Sequence, residues 1–201
     1  MNKSSTRRNF IKNAAIGSLA SLALPEIVSA AIAENGTKKI NIDKNDIILF
    51  QGDSITDWGR DHNKNIPNDT GTLGTGYVLI TTAQLLLKYP ANNLLIYNKG
   101  IWHKVYQLAE RWDTDALNIK PTILSIHIGV NDFWHTLTNG YTGTIENYIT
   151  DYHALLDRTK KALPNVKLVI CEPFAVKGVK AADDKWYPTF NLFRKSGKRY
   201  C

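Results

Sequence analysis

Two short runs carry residue types suited to acyl transfer: Gly52-Asp53-Ser54 and Gly129-Val130-Asn131. A serine hydroxyl can attack an ester carbonyl, and a neutral asparagine amide can donate to the oxyanion that develops. Each residue also has a plainer reading. Ser54 could cap a helix, a role Ser and Asp fill well. Asn131 could be a loop residue that tolerates turn geometry.

The elements that must position these groups follow from the apolar pattern. Ile47 to Gln51 reads as a strand buried on both faces, with Gly52 allowing a tight exit and Ser54 on the turn beyond. The loop from Asp57 to Gly76 is rich in Asp, Asn, Gly and Thr and reads as irregular. A helix over Tyr77 to Tyr89 stops at Pro90, strand two covers Leu94 to Tyr97, and a short helix covers Val105 to Trp112. Strand three, Thr122 to Ile128, breaks at Gly129 into a polar turn. Ile145, Tyr148, Ile149, Tyr152, Leu155, Leu156, Thr159 and Leu163 recur at helical spacing, and Pro164-Asn165 ends that helix. Strand four is Val166 to Cys171, and a last helix starts near Trp186.

Strands alternating with helices predict an α/β fold, a parallel sheet with helices on both faces. Right-handed crossovers put every strand's carboxyl end on one rim. In a doubly wound order of 2-1-3-4, strands one and three are neighbours at the switch point, so Ser54 and Asn131 should face each other. A phosphate- or nucleotide-binding reading of the same fold is disfavoured, because the first turn lacks a glycine-rich anion loop.

Gly52-Asp-Ser-Ile55 and Gly129-Val-Asn-Asp132 resemble the first and third sequence blocks of the SGNH (GDSL-type) hydrolases. The flanking Ser125-Ile-His-Ile-Gly-Val-Asn-Asp-Phe-Trp134 and Cys171-Glu-Pro-Phe174 resemble the bacterial carbohydrate-esterase branch. The resemblance runs from about Ile47 to Phe193. It implies a three-layer α/β/α flavodoxin-like fold and ester hydrolysis through a Ser-His-Asp triad, with no metal or organic cofactor. By match, Ser54 is the nucleophile, and the oxyanion hole combines the Ser54 N–H, the Asn131 side chain and Gly100.

Two departures stand against that pattern. Where the family's second block reads Asn-x-Gly-x-Ser-Gly, this chain has Asn98-Lys-Gly-Ile-Trp-His103. Bulk at Trp102 and His103 is expected to block or displace the third oxyanion donor. The Asp-x-x-His block that carries the triad's other members belongs well beyond Phe193 and has no counterpart before Cys201. The last strand and closing helix are therefore expected to be missing, exposing a sheet edge and an apolar face.

None of the five histidines is an evident base. His127 lies inside strand three and reads as packed and hydrogen-bonded, His153 falls on the amphipathic helix, and His103 belongs to the altered block. His62 and His135 are placed in rim loops within reach of Ser54, with nothing in the sequence to orient either on a carboxylate. Asp53, Trp58, Trp134 and His135 are candidate rim residues. Flat aromatic faces at Trp58 and Trp134 would suit a sugar ring, although both could simply pack the rim. The expected substrate is a small acyl ester, acetyl in particular, on a carbohydrate. The alternative is a catalytically inactive remnant that at most binds saccharide.

The chain's 201 residues, 43% hydrophobic and 21% charged, suit one globular domain of ordinary size. The formal charge of +7 is inflated by Lys3, Arg7, Arg8 and Lys12 near the start. The basic pairs Arg194-Lys195 and Lys198-Arg199 read as a solvated helix face, so no nucleic-acid partner is expected. Residues 1–33 read as an export signal: a basic start, an apolar stretch from Ala14 to Leu24, and small residues for cleavage. Ser5-Thr-Arg-Arg-Asn-Phe-Ile-Lys12 within it resembles a twin-arginine signal. The mature unit, 34–201, is expected outside the cytoplasm, periplasmic or extracellular, with no stable membrane anchor once the signal is removed. Cys171 and Cys201 make no disulfide framework, and Cys171 reads as a buried free thiol.

Overall fold

The computed structural model describes residues 39–178 and 182–196. The proposed signal at 1–33, Cys201 and the pair Lys198-Arg199 lie outside the described residues. The chain divides into a unit ending at Asn41 and one starting at Ile42, and every element below belongs to the second.

Four strands form one parallel sheet in the order β2-β1-β3-β4, as the switch-point argument requires: β1 (Ile47–Gly52), β2 (Leu95–Asn98), β3 (Ile123–His127) and β4 (Lys167–Cys171). β1 is central, with Phe50 paired to Asn98 on one side and Ser125 on the other. Its apolar run is buried because helices cover both faces of the sheet. β4 is an edge strand among the described residues, and each of its five residues is half-buried. The Cys171 thiol is accordingly half-buried rather than buried, 3.7 Å from the Ser125 hydroxyl.

The helices are α1 (Ser54–Asp57), α2 (Thr70–Leu73), α3 (Tyr77–Lys88), α4 (Val105–Glu110), α5 (Trp112–Asp115), α6 (Val130–Thr138), α7 (Ile145–Ala162) and α8 (Phe190–Ser196). α7 carries the predicted apolar stripe, with Tyr148, Tyr152, Leu155 and Leu156 buried. Those residues join Leu124 and Ile126 of β3, Trp112 of α5, and Phe190 and Phe193 of α8 in one cluster. Thr144 caps α7, its hydroxyl accepting the Asn147 N–H.

Three expectations need correction. The residues after Gly129 are not a simple polar turn but the start of α6, which lifts His135 out of its supposed loop. The Asp57–Gly76 stretch contains α2, capped by Asp69 through the Thr72 N–H. The helix expected at Val105 to Trp112 is split at Arg111 into α4 and α5. Among the described residues no helix is long and apolar enough to cross a membrane.

Candidate active site

β1 ends in a turn whose hydrogen bonds are nearly all made by Asp53. Its carboxylate Oδ1 accepts the Ile55 N–H at 3.0 Å, and its carbonyl accepts the N–H groups of Thr56 and Asp57. Asp53 is thus the helix cap, and Ser54 is the first helical residue rather than the cap. Among the described residues, neither the Ser54 hydroxyl nor its backbone N–H has a hydrogen-bond partner. Gly52 is required by close approach: a Cβ there would run into the His127 carbonyl and the Thr56 hydroxyl.

The second turn sits one strand away. Gly129, at φ 124°, occupies backbone space that L side chains rarely adopt, and a Cβ would strike the Tyr148 ring. Asn131 follows in the first turn of α6 and is 3% exposed. Its Nδ2 donates to the His103 carbonyl at 3.1 Å, and no acceptor among the described residues meets the second hydrogen. Ser54 and Asn131 line one hollow of about 340 Å³, walled also by Trp134, Phe174 and Trp186. A larger apolar hollow of about 600 Å³ shares Ile55 and Phe174 with it, and holds Trp58, Tyr77 and His127.

The remaining candidates fare differently. Gly100 is no donor: its N–H is taken by Asn98 Oδ1 at 2.9 Å and its carbonyl by Arg60. A Cβ at Gly100 would crowd Thr56 and Asp57, which explains the glycine by packing. The His103 N–H is also engaged, by the Ile101 carbonyl at 2.6 Å. Neither Gly100 nor His103 thus offers a free N–H, and the altered second block contributes an acceptor, the His103 carbonyl. Asp53 is not a rim residue but 1% exposed. Trp134 lines the hollow with Ser54, whereas Trp58, 66% exposed, lines only the larger one. His135 lines neither; its Nδ1 faces Lys104 Nζ at 3.2 Å, and burial together with that ammonium lowers its pKa.

Two carboxyls sit behind the site. Burial raises Asp53 to about 7, against the amide N–H bonds that favour its charge. Burial likewise raises Asp132 to about 7, although the Val105 N–H donates to its Oδ1 at 3.1 Å and Lys104 lies near. The Oδ2 atoms of both have no partner among the described residues.

No histidine lines the hollow that holds Ser54. His127 stacks on Phe174 at 5.5 Å and hydrogen-bonds the Glu172 backbone, packed as expected but facing the larger hollow. His62 corrects the sequence reading, since a carboxylate does orient it: its Nε2 lies 2.8 Å from Asp57 Oδ1, which Arg60 Nε also meets at 3.1 Å. Neither Asp57 nor His62 lines the Ser54 hollow. Sequence reasoning also missed Asp132, whose partner lies 27 residues away and leaves no local signal. Among the described residues no three His, Cys, Asp or Glu side chains gather as a metal-ligand set.

A parallel sheet with a bare serine at one switch-point turn and an asparagine amide at the next defines an α/β protein of the serine-hydrolase kind. Residues 50–196 match the GDSL-like Lipase/Acylhydrolase family, and the chain belongs to that family. An acetylxylan esterase of Geobacillus stearothermophilus is 36% identical over 134 residues, which cover 65% of this chain and 61% of that protein's length. The chain therefore spans less than two thirds of that curated relative. A GDSL-like protein of Parabacteroides merdae superposes with a TM-score of 0.79 at 55% identity, covering 81% of this chain and 75% of the other. The solved acetylxylan esterase Axe2 of G. stearothermophilus gives 0.71 at 30% identity, covering 80% and 73%. Its catalytic mutants replace a serine, an aspartate and a histidine by alanine.

Proposed function

We propose that this chain is an exported esterase acting on small acyl esters, acetyl in particular, carried by a carbohydrate. The reading rests on one observation: Ser54 and Asn131, from turns 77 residues apart in sequence, line the same hollow, and among the described residues the Ser54 hydroxyl and one hydrogen of the Asn131 amide have no partner. Ser54 Oγ would attack the acyl carbon. The Ser54 N–H and the free hydrogen of the Asn131 amide would bind the oxyanion, without the net charge a lysine would bring. Trp134 would present a flat face to the sugar ring beside the ester. The acetylxylan esterase relatives support the acetyl-carbohydrate substrate, and the basic, then apolar start of the chain supports export.

Attack by serine at neutral pH needs a base, and among the described residues no histidine lines this hollow. That observation favours a second reading, in which the site binds acetylated saccharide without turnover. An aryl acetate assay separates the two. A burst of phenol that disappears in Ser54→Ala supports the esterase; equal release by both proteins overturns it. Calorimetric binding of acetylated xylo-oligosaccharide with no turnover supports the second reading.

A further inference from the structure

The Asn131 amide is aimed by a carbonyl, so what holds that carbonyl decides where the amide points. His103 to Val105 form the entry to α4, and three contacts tie this segment to α6. The His103 carbonyl accepts from Asn131 Nδ2 at 3.1 Å, the Val105 N–H donates to Asp132 Oδ1 at 3.1 Å, and Lys104 Nζ meets His135 Nδ1 at 3.2 Å. At the entry to α4, Gln107 Oε1 accepts the Lys104 N–H at 3.1 Å, and of the three contacts to α6 only the Asp132 bond fixes the main chain two residues beyond the carbonyl. Lys104 is itself held, 8% exposed, over the Tyr106 and Tyr141 rings.

Asp132 is an expensive way to cap α4. It is 3% exposed, and its second oxygen meets nothing among the described residues. A serine or asparagine in the segment before Val105 could cap α4 locally without burying a carboxyl. What Asp132 adds is a link between α4 and the residue next to Asn131. We propose that Asp132 is a positioning residue for the oxyanion donor: by gripping the Val105 N–H it fixes the His103 carbonyl, which directs the free N–H of Asn131 into the Ser54 hollow. The role of that donor rests on the esterase reading; the coupling of Asp132 to the amide does not.

The test is a double-mutant cycle on aryl acetate hydrolysis. Asp132→Ala is expected to lower kcat about tenfold to a hundredfold, as a misplaced donor does, with KM within about twofold. Asp132→Asn, which keeps an acceptor oxygen for Val105, is expected to restore most of the loss. Asn131→Ala/Asp132→Ala should be no slower than Asn131→Ala alone. Fully additive losses, or no rescue by Asp132→Asn, overturn the proposal. If Ser54→Ala equals the unmutated chain, the esterase reading has failed and the coupling is read by NMR instead. The Asn131 side-chain amide resonances, assigned by their loss in Asn131→Ala, should move toward free-carboxamide values in Asp132→Ala. Unmoved resonances overturn the proposal. Should Asp132→Ala not fold, Val105→Pro deletes the donor at a first helical position, where proline fits, and should give the same readouts.

Discussion

The turns after β1 and β3 use the same parts and solve different problems. Each leaves a strand through a glycine, starts a helix, and places a buried aspartate beside the group facing the hollow. At the first turn the aspartate acts locally, capping the helix that carries Ser54 through the N–H two residues on. Among the described residues the serine has no hydrogen-bond partner, as suits the proposed nucleophile. At the second turn every tether is distant: Asn131 reaches His103 across 28 residues, and Asp132 reaches Val105 across 27. That amide is held, as suits a group that must stay still while charge develops in front of it.

The contrast can be broken, beginning with the largest effect. Ser54→Ala should remove burst and turnover of an aryl acetate by about a thousandfold or more, because no other nucleophile lines the hollow among the described residues. Asn131→Ala should slow both the burst and turnover, with kcat lower by about 10²- to 10³-fold, the usual loss for one oxyanion donor. A Ser54→Ala protein that retains the rate, or an Asn131→Ala change seen only in KM, would erase the assigned difference between the turns.

The next predictions concern stability. Gly129→Ala should destabilise the fold by about 1–3 kcal/mol in urea unfolding, because φ is 124° and the new methyl meets Tyr148. Asp53 and Asp132 both titrate near 7, so the folded chain holds protons that the unfolded chain releases from about pH 4 upward. The share of stability carried by the two carboxyls then falls as pH rises through that window, each contributing at most about 1.4 kcal/mol of loss for every pH unit crossed. Measured from pH 5 to pH 8, Tm of Asp53→Asn or Asp132→Asn relative to the unmutated chain should rise with pH, as each variant removes one falling contribution. Because burial lowers His103, His127 and His135 and so pulls Tm the other way, the carboxyls are read from the variants: a Tm-against-pH slope unchanged in both Asp→Asn proteins would show both carboxyls ionised well below neutrality. Smallest in effect, Trp134→Ala should raise KM for acetylated xylo-oligosaccharide about threefold to tenfold and leave aryl acetate nearly unaffected.

How much of this is legible in the sequence follows the same division. The strands, the glycine exits and α7 can be read because their signals are local (apolar runs, punctuating Gly and Pro, and a clear helical stripe), and the strand order agrees with the doubly wound pattern they imply. The run from Ile47 through Gly52 places Ser54 on its turn, and the capping alternative falls because the neighbouring Asp53 takes that role. α6 escapes sequence reading because Gly129-Val-Asn-Asp132 has the composition of a turn, and its helical continuation depends on packing against α8. Gly100 misleads because Asn98, two residues earlier, claims its N–H. The Asp57–His62 pair and the grip of Asp132 on Val105 follow no periodicity and appear only once the chain is folded.

The central claim, that Ser54 and Asn131 act on one acyl group, is tested most directly by labelling with an aryl fluorophosphonate followed by peptide mass spectrometry. The account predicts modification of Ser54, formed at least about tenfold more slowly in Asn131→Ala, because the phosphoryl oxygen occupies the oxyanion position. Modification elsewhere, or at Ser54 with an unchanged rate in Asn131→Ala, would contradict it.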